Sequence, residues 1–250
     1  MTRSIDLNSD LGEGFGPWAM GDDAKMLSLV TSANVACGGH ASDPETMFKT
    51  LELARDRGVS VGAHPGFNDR EGFGRRVIPM TPAEVTRMVA AQVGALQSLA
   101  ALAGTTVDYV KAHGALANHA AAHREFADAV VAGIGGLPIL AISGTQLEVA
   151  GKAAGIDTYS EIFADRGYQP NGQLVPRGQG GAMIHDAGEA AERLLQVLDT
   201  GLMPVVGGVP IPLAAHSICI HGDSPSAVAM AVEIRKRLEA AGVSLERFAR

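Results

Sequence analysis

Short apolar runs alternate with longer stretches of helical periodicity along this chain. The apolar runs predict strands over 4–10, 31–37, 58–64, 107–113, 138–143, 158–164 and 217–223. Two capping-box sequences, 42–45 and 81–84, predict the starts of helices that end before Gly58 and Gly104. The remaining periodic stretches predict helices over 22–31, 118–132, 145–154, 187–199 and 224–241. Because strands and helices alternate without hairpin signals, we expect parallel strands joined by helical crossovers.

The predicted fold is α/β, with about seven parallel strands closed into a β/α barrel. Polar and ionisable residues follow nearly every strand, whereas an open sheet concentrates such residues near its switch point. The segment 203–213 predicts at most a weak eighth strand, because it contains Pro204, Pro210 and Pro212. No linker or low-complexity tract interrupts the chain, so we expect a single domain over 1–250.

The candidate site residues lie at the ends of the predicted strands and share faces by the two-residue period of a strand. These groups are Asp6, Asn8 and Asp10; Lys111 and His113; Glu161 and Asp165; and Cys219, His221 and Asp223. If each face points into the barrel, the groups converge at one end of it. That arrangement is typical of an enzyme.

Two glycine-containing loops carry further candidates. The loop 10–16 holds Asp10 and Glu13 beside bare backbone, which suits a general base or a Mg²⁺ ligand, or else forms a polar turn. The loop 34–40 holds Asn34, Cys37 and His40. Cys37 is either a nucleophile activated by His40 or a small buried group, and the second interpretation is favoured.

Two long irregular segments are predicted to be lids or binding loops. The first, 64–76, places His64 at a strand end and offers Arg70, Arg75 and Arg76 to a carboxylate or phosphate. The second, 161–177, carries Glu161, Asp165, Arg166 and Arg177 as binding candidates.

Three further sites have clear chemical interpretations. Lys111 suits an anionic oxygen, and His113 suits proton transfer. The segment 221–225 contains His221 and Asp223 and predicts anion binding at the start of the last helix. The pair His119 and His123 has the spacing of a zinc pair, but two exposed histidines are the favoured interpretation.

Composition narrows the functional classes. The formal net charge of −7 argues against a nucleic-acid partner, and no apolar run approaches the roughly 20 residues of a membrane span. The first three residues lead directly into a strand pattern, which predicts no signal peptide. Cys37 and Cys219 are too few for a disulfide framework, so we expect reduced thiols and a cytoplasmic location.

Several motifs together resemble the LamB/YcsF family, which provides the A subunit of prokaryotic 5-oxoprolinase and is also known as lactam utilisation protein. They are 6–16, 34–40, 64–67, 69–76, 163–166, 174–177 and 221–223. The motif 111–118 keeps Lys111, His113 and Asn118 but has Ala112 and Ala117 where the family usually has Pro and Tyr.

The resemblance implies ATP-dependent opening of 5-oxo-L-proline to L-glutamate in a complex with subunits B and C. It also implies ATP with Mg²⁺ and an irregular seven-stranded barrel of the glycoside hydrolase/deacetylase type. In that reaction Asp10 or Glu13, with His64 or His113, are candidates for proton transfer. Lys111 and an arginine of 70–76 are candidates for holding anionic oxygens.

Two other functions stay open from the residues alone. One is a metal-dependent, deacetylase-like amide hydrolase with Asp10, His40 and His64 as candidate ligands. The close-spaced histidine pair usual in that class is absent, which weighs against it. The other is a non-catalytic subunit that binds the substrate while a partner performs the chemistry.

Overall fold

The barrel closes through seven parallel strands. The computed structural model describes residues 3–222 and 227–249. The barrel strands are β1 (Arg3–Leu11), β2 (Ser32–Ala36), β3 (Ser60–His64), β4 (Tyr109–Val110), β5 (Ile139–Ile142), β6 (Thr158–Phe163) and β9 (Ser217–Cys219). They pair in that order, and β9 also pairs with β1, which completes the ring. The predicted α/β barrel is therefore confirmed.

Three short strands lie outside the ring. They are β7 (Leu202–Met203), β8 (Ile211–Pro212) and β10 (Val243–Leu245). The first two form a small antiparallel ribbon, so the segment 203–213 adds no eighth barrel strand. The third extends the sheet beside the start of β1, and no pattern in the sequence predicts it.

Helices fill the crossovers between the strands. They are α1 (Asp23–Met26), α2 (Pro44–Arg57), α3 (Pro82–Ala103), α4 (Gly114–Ala122), α5 (Arg124–Gly133), α6 (Gln146–Ala153), α7 (Ala187–Thr200) and α8 (Ala227–Ala240). Within the described residues, no helix combines the length and apolarity needed to cross a membrane.

The helix boundaries follow local capping chemistry. Thr81 and Glu84 form the predicted capping box of α3, and Gly104 ends that helix with φ 74°. Asp43, rather than Ser42, caps α2 by accepting from the backbone amides of Glu45 and Thr46. The capping box predicted at 42–45 is therefore wrong by one residue.

Two helix predictions need correction. The helix predicted over 118–132 is two helices, because His123 has an extended backbone (φ −122°, ψ 112°) between α4 and α5. The first of them begins at Gly114, inside the motif that follows β4. The helix predicted over 22–31 is shorter, ending at Met26. The predicted start of the last helix, 224–226, lies outside the described residues.

The apolar core lies between the strands and the helices, while the inside of the barrel is polar. Leu7 and Leu11 of β1 join the core cluster. The alternate residues Asp6, Asn8 and Asp10 are buried and bond to polar side chains of other strands. The two-residue period thus separates core from site, as the sequence predicts.

Candidate active site

A cavity of about 470 Å³ lies where the barrel strands end. Ten of the predicted site residues line it: Asp10, Glu13, His64, Arg75, Lys111, His113, Glu161, Arg166, Arg177 and His221. They come from both predicted lids and from positions at or just beyond the ends of four strands. The structure therefore brings these distant groups together at one end of the barrel.

The other predicted site residues lie outside the cavity lining. Asn8 and Asn34 are buried within the barrel, and His40 is buried behind His113. Asp165 is buried and accepts from His221. Arg70 is exposed and lies over the Phe15 ring, 4.2 Å from its centroid.

Arg70 does not line this cavity. It is exposed and donates to the Gly38 carbonyl, and its part in substrate binding stays a prediction. Asp223 lies outside the described residues.

The floor of the cavity is an ionic network around Lys111. Its Nζ lies 2.9 Å from Asp10 Oδ1 and 2.9 Å from Glu161 Oε1. The same ammonium donates to Asn8 Oδ1 and Cys219 Sγ. Lys111 is only 4% exposed, so it is a fixed internal cation rather than a mobile surface charge.

Burial and charge act in opposite directions on these groups. Burial alone would raise the pKa of Asp10, but the charges of His64 and Lys111 hold it well below its usual value. Burial likewise opposes the ammonium of Lys111, yet Asp10, Cys219 and Glu161 raise its pKa well above the usual range. For Glu161, burial prevails and its pKa is raised.

Amide groups hold this floor in place. Asn34 donates to both Asn8 Oδ1 (2.7 Å) and Asp10 Oδ1 (2.8 Å). Tyr109 donates to Asn34 Oδ1 at 2.6 Å, which fixes the orientation of the amide. Asn34 thus orients Asp10 instead of lining the cavity.

Beside the ionic floor lies a cluster of three histidines and a carboxylate. Glu13, His40, His64 and His113 are buried, and their candidate ligand atoms lie within 4.8 Å of one another. His64 Nδ1 bonds to the Lys111 carbonyl, and His113 Nε2 bonds to the Phe73 carbonyl, both at 2.8 Å. This donor set is able to hold a metal ion.

Two of the histidines are held neutral. Burial, with the neighbouring imidazoles, lowers the pKa of His113 to about 3 and that of His40 well below its usual value. Because the rings of the cluster are packed together, adding a proton to one of them places positive charge beside the others. His40 and His113 are therefore bases rather than cations.

Arginines form a second part of the cavity lining, the arginine wall. Arg75, Arg166 and Arg177 all line it. Burial and the charge of Arg177 lower the pKa of Arg166. Arg166 is anchored by bonds to the carbonyls of Val175 and Ala182. A wall of this kind suits a carboxylate or phosphate.

Some lining residues could not be singled out from the sequence. Phe73, Gln169 and Gln173 line the cavity, but nothing in their local pattern distinguishes them from other loop residues. Ala112 and Ala117, the two departures from the family pattern, line it as well.

Cys37 is a structural residue. Burial raises its pKa to about 12, and its sulfur accepts from the His64 amide, so the favoured interpretation agrees with the structure. Of the surface pair on α4, His119 is half-buried and His123 is exposed, with their ring centroids 4.5 Å apart.

Comparison with known proteins extends over the whole chain. The A subunit of 5-oxoprolinase from Nocardia farcinica is 52% identical over 98% of this chain and 99% of its own length. The crystal structure of the lactam utilization protein from Thermus thermophilus has a TM-score of 0.91 at 39% identity, covering 97% of this chain and 99% of that one.

A more distant likeness concerns the fold alone. A family 4 carbohydrate esterase from Streptomyces lividans has a TM-score of 0.51 at 10% identity, covering 97% of this chain and 91% of that one. The profile of the LamB/YcsF family matches residues 5–250. The chain belongs to the LamB/YcsF family.

Proposed function

We propose that this chain is the A subunit of an ATP-dependent 5-oxoprolinase, which opens 5-oxo-L-proline to L-glutamate. The observation that carries the proposal is one cavity that is lined both by buried acid–base groups and by arginines. Relatives about half identical over their full length carry that name, which supports the same activity here.

The reaction explains why a cavity of this kind is needed. A five-membered lactam is a poor electrophile, and its amide nitrogen is a poor leaving group. Transfer of the γ-phosphoryl group of ATP to the lactam oxygen gives an imidate phosphate. Addition of water and cleavage of the ring carbon–nitrogen bond then give γ-glutamyl phosphate. A second water releases glutamate and phosphate.

The arginines and the acid–base groups of the cavity suit separate steps of this reaction. The arginine wall would bind the substrate carboxylate and the phosphoryl oxygens. Asp10, kept ionised by its neighbours, would take the proton from the attacking water. A general acid is also needed for the departing ring nitrogen, and Asp10, having accepted that proton, would supply it.

Lys111 has a different role from the one its residue type suggests. Its ammonium already contacts Asp10, Asn8, Glu161 and Cys219. We therefore assign it to holding Asp10 ionised and oriented rather than to binding the substrate directly.

ATP and Mg²⁺ belong to the proposal as co-substrate and its counter-ion. The histidine cluster does not fit Mg²⁺, which prefers oxygen ligands and retains several waters. Mg²⁺ would instead arrive bound to the phosphates of ATP. We further propose that subunits B and C take part in phosphoryl transfer, and that the complex works in the cytoplasm.

The test is turnover of isotope-labelled 5-oxoproline by the purified chain together with subunits B and C. Labelled glutamate should form only when ATP and all three proteins are present. If Asp10→Asn still forms glutamate at the original rate, the chain serves only to bind substrate.

A metal-dependent amide hydrolase is the second candidate, and the histidine cluster is the observation that favours it. The same assay separates the two functions. Hydrolysis that continues without ATP and stops after chelation would support the metal-dependent hydrolase and contradict the oxoprolinase.

A further inference from the structure

Two ring nitrogens in the histidine cluster face each other at hydrogen-bonding distance. A carbonyl oxygen only accepts hydrogen bonds, so His64 Nδ1, 2.8 Å from the Lys111 carbonyl, carries a hydrogen. His113 Nε2, 2.8 Å from the Phe73 carbonyl, carries one for the same reason. The second nitrogens of the two rings, His64 Nε2 and His113 Nδ1, therefore point toward each other and are only 3.0 Å apart.

A carboxylate lies beside each of these two nitrogens. Asp10 Oδ2 lies 3.4 Å from His64 Nε2, and Glu13 Oε1 lies 3.6 Å from His113 Nδ1. All four residues are buried. Each ring nitrogen thus has a carboxylate oxygen beside it in a place largely closed to water, where charges are weakly screened.

The spacing of these atoms matches the coordination shell of one cation. Ligand atoms at about 2.0–2.1 Å from a tetrahedral metal ion lie about 3.3–3.4 Å from one another. The separations of His64 from His113, of His64 from Asp10 and of His113 from Glu13 run from 3.0 to 3.6 Å. A cation among these atoms would be attracted by both carboxylates and bound by both ring nitrogens.

We propose that His64 Nε2, His113 Nδ1, Glu13 and Asp10 bind one divalent transition-metal ion. Two imidazoles with carboxylates favour Zn²⁺, Co²⁺ or Mn²⁺ over Mg²⁺, since imidazole is a preferred ligand of the transition metals. Bound there, the ion would act as a Lewis acid toward an amide oxygen in the cavity.

His40 is a positioning residue outside this shell. Its ring is stacked on His113 with centroids 3.6 Å apart and an angle of 2° between the planes. An ion in the plane of one ring lies far from the plane of the other, so both lone pairs cannot reach it. His40 Nε2 instead lies 3.1 Å from Glu13 Oε1 and orients that carboxylate.

The conformation of the loop beside the cluster is also consistent with a metal site. Phe73 has φ 54°, which is unfavourable for a bulky residue, and this turn directs its carbonyl to His113. Gly74 packs so closely that a Cβ there would lie 2.6 Å from His40 Cβ. Backbone carbonyls on ligating imidazoles are a common outer shell of metal sites.

A second group of candidate ligands, Asp10, Cys219 and His221, is excluded by charge. The Lys111 ammonium lies 2.9 Å from Asp10 Oδ1 and 3.1 Å from Cys219 Sγ. A metal ion there would meet a buried positive charge that is already in place. Asp10 is therefore shared, with Oδ1 held by Lys111 and Oδ2 turned toward His64.

The test uses the full chain without a polyhistidine tag, stripped with a chelator and titrated with Zn²⁺ or Co²⁺. We expect one equivalent to bind, and a large excess of Mg²⁺ should not displace it. X-ray absorption of the Zn²⁺-loaded chain should show nitrogen or oxygen ligands at about 2.0–2.1 Å, with two imidazoles. The variants His64→Gln and His113→Gln should each lose the tightly bound ion.

The control is the pair His119 and His123 at the end of α4. The double variant His119→Gln, His123→Gln should bind metal as the original chain does. Loss of binding in this control, absence of binding in the original chain, or a sulfur shell at about 2.3 Å would each overturn the proposal.

Neither readout depends on the proposed oxoprolinase activity. Metal binding is measured without ATP, lactam or partner subunits, and the absorption spectrum needs no variant that might fail to fold. A chain that binds metal but opens no lactam would keep this proposal and refute the proposed function. A chain that binds no metal yet opens the lactam would refute the metal site and keep the proposed function.

Discussion

Asp6 and Asp10 lie on one face of β1, but the groups that surround them at the two ends of the barrel differ. Asp6, at the lower end, accepts hydrogen bonds from Thr31, Ser32 and Ser217. Burial raises its pKa to about 6, despite these three donors. Hydroxyl groups thus supply the hydrogen bonds of the Asp6 carboxylate, and Asp6 does not line the cavity.

Asp10, four residues further, is surrounded by charge instead. Lys111 and His64 outweigh its burial and keep its pKa well below the usual value. It also borders the cavity. The comparison shows that burial alone makes a carboxylate hard to ionise, whereas an internal cation beside open space makes it an ionised base. Position along one strand decides between a structural and a chemical role.

The strongest test of this difference between Asp6 and Asp10 is to neutralise each carboxylate in turn. Asp10→Asn should lower turnover in the complete complex by about 10²–10⁴-fold, the usual contribution of a positioned base. Asp6→Asn should keep turnover close to that of the original chain. Isotope-traced product formation measures both, and equal losses in the two variants would contradict the distinction.

Removing the internal cation should have the next largest effect. Lys111→Met leaves Asp10 and Glu161 buried without their counter-charge, and about 3–5 kcal/mol of unfolding free energy should be lost. Urea titration of the two proteins measures the difference. A variant as stable as the original chain would mean that the network contributes no net stability and that its carboxylates become neutral instead.

The raised pKa of Asp6 predicts a pH dependence of stability. Between its ordinary value of 3.8 and about 6, the folded state binds more protons than the unfolded state, so this contribution to stability falls as pH rises. Across that window the stability of the original chain relative to Asp6→Asn should fall by about 3 kcal/mol. Denaturant titrations of both proteins at a series of pH values measure it, and a constant difference would show that Asp6 titrates normally.

The smallest effect concerns the arginine wall. Arg177→Gln should raise KM for the anionic lactam by about tenfold, because one charged hydrogen-bond donor is lost from the cavity. Arg70→Gln is the matched control, since Arg70 is exposed and lies outside the cavity lining. Equal KM values for the two variants would remove Arg177 from substrate binding.

The alternation of apolar runs and helical stretches was enough to predict a parallel barrel, because periodicity reports which residues are buried within one element. Strand parity placed Asp10, Lys111 and Glu161 on inward faces, and the first and last lie on regular strands. The break at His123 was missed because the helical periodicity continues across it. The strand β10 was missed because its stability comes from pairing with β1.

By itself, the sequence determined which strands exist, which faces are polar and which residue types follow them. Tertiary structure decided which of these groups touch: Lys111 meets Asp10 across 101 positions of chain, and Arg70 turns away from the cavity. It also decided that two imidazole nitrogens, His64 Nε2 and His113 Nδ1, face each other. The reason is that periodicity reports local burial, while contacts between distant residues depend on how the strands are staggered when the barrel closes.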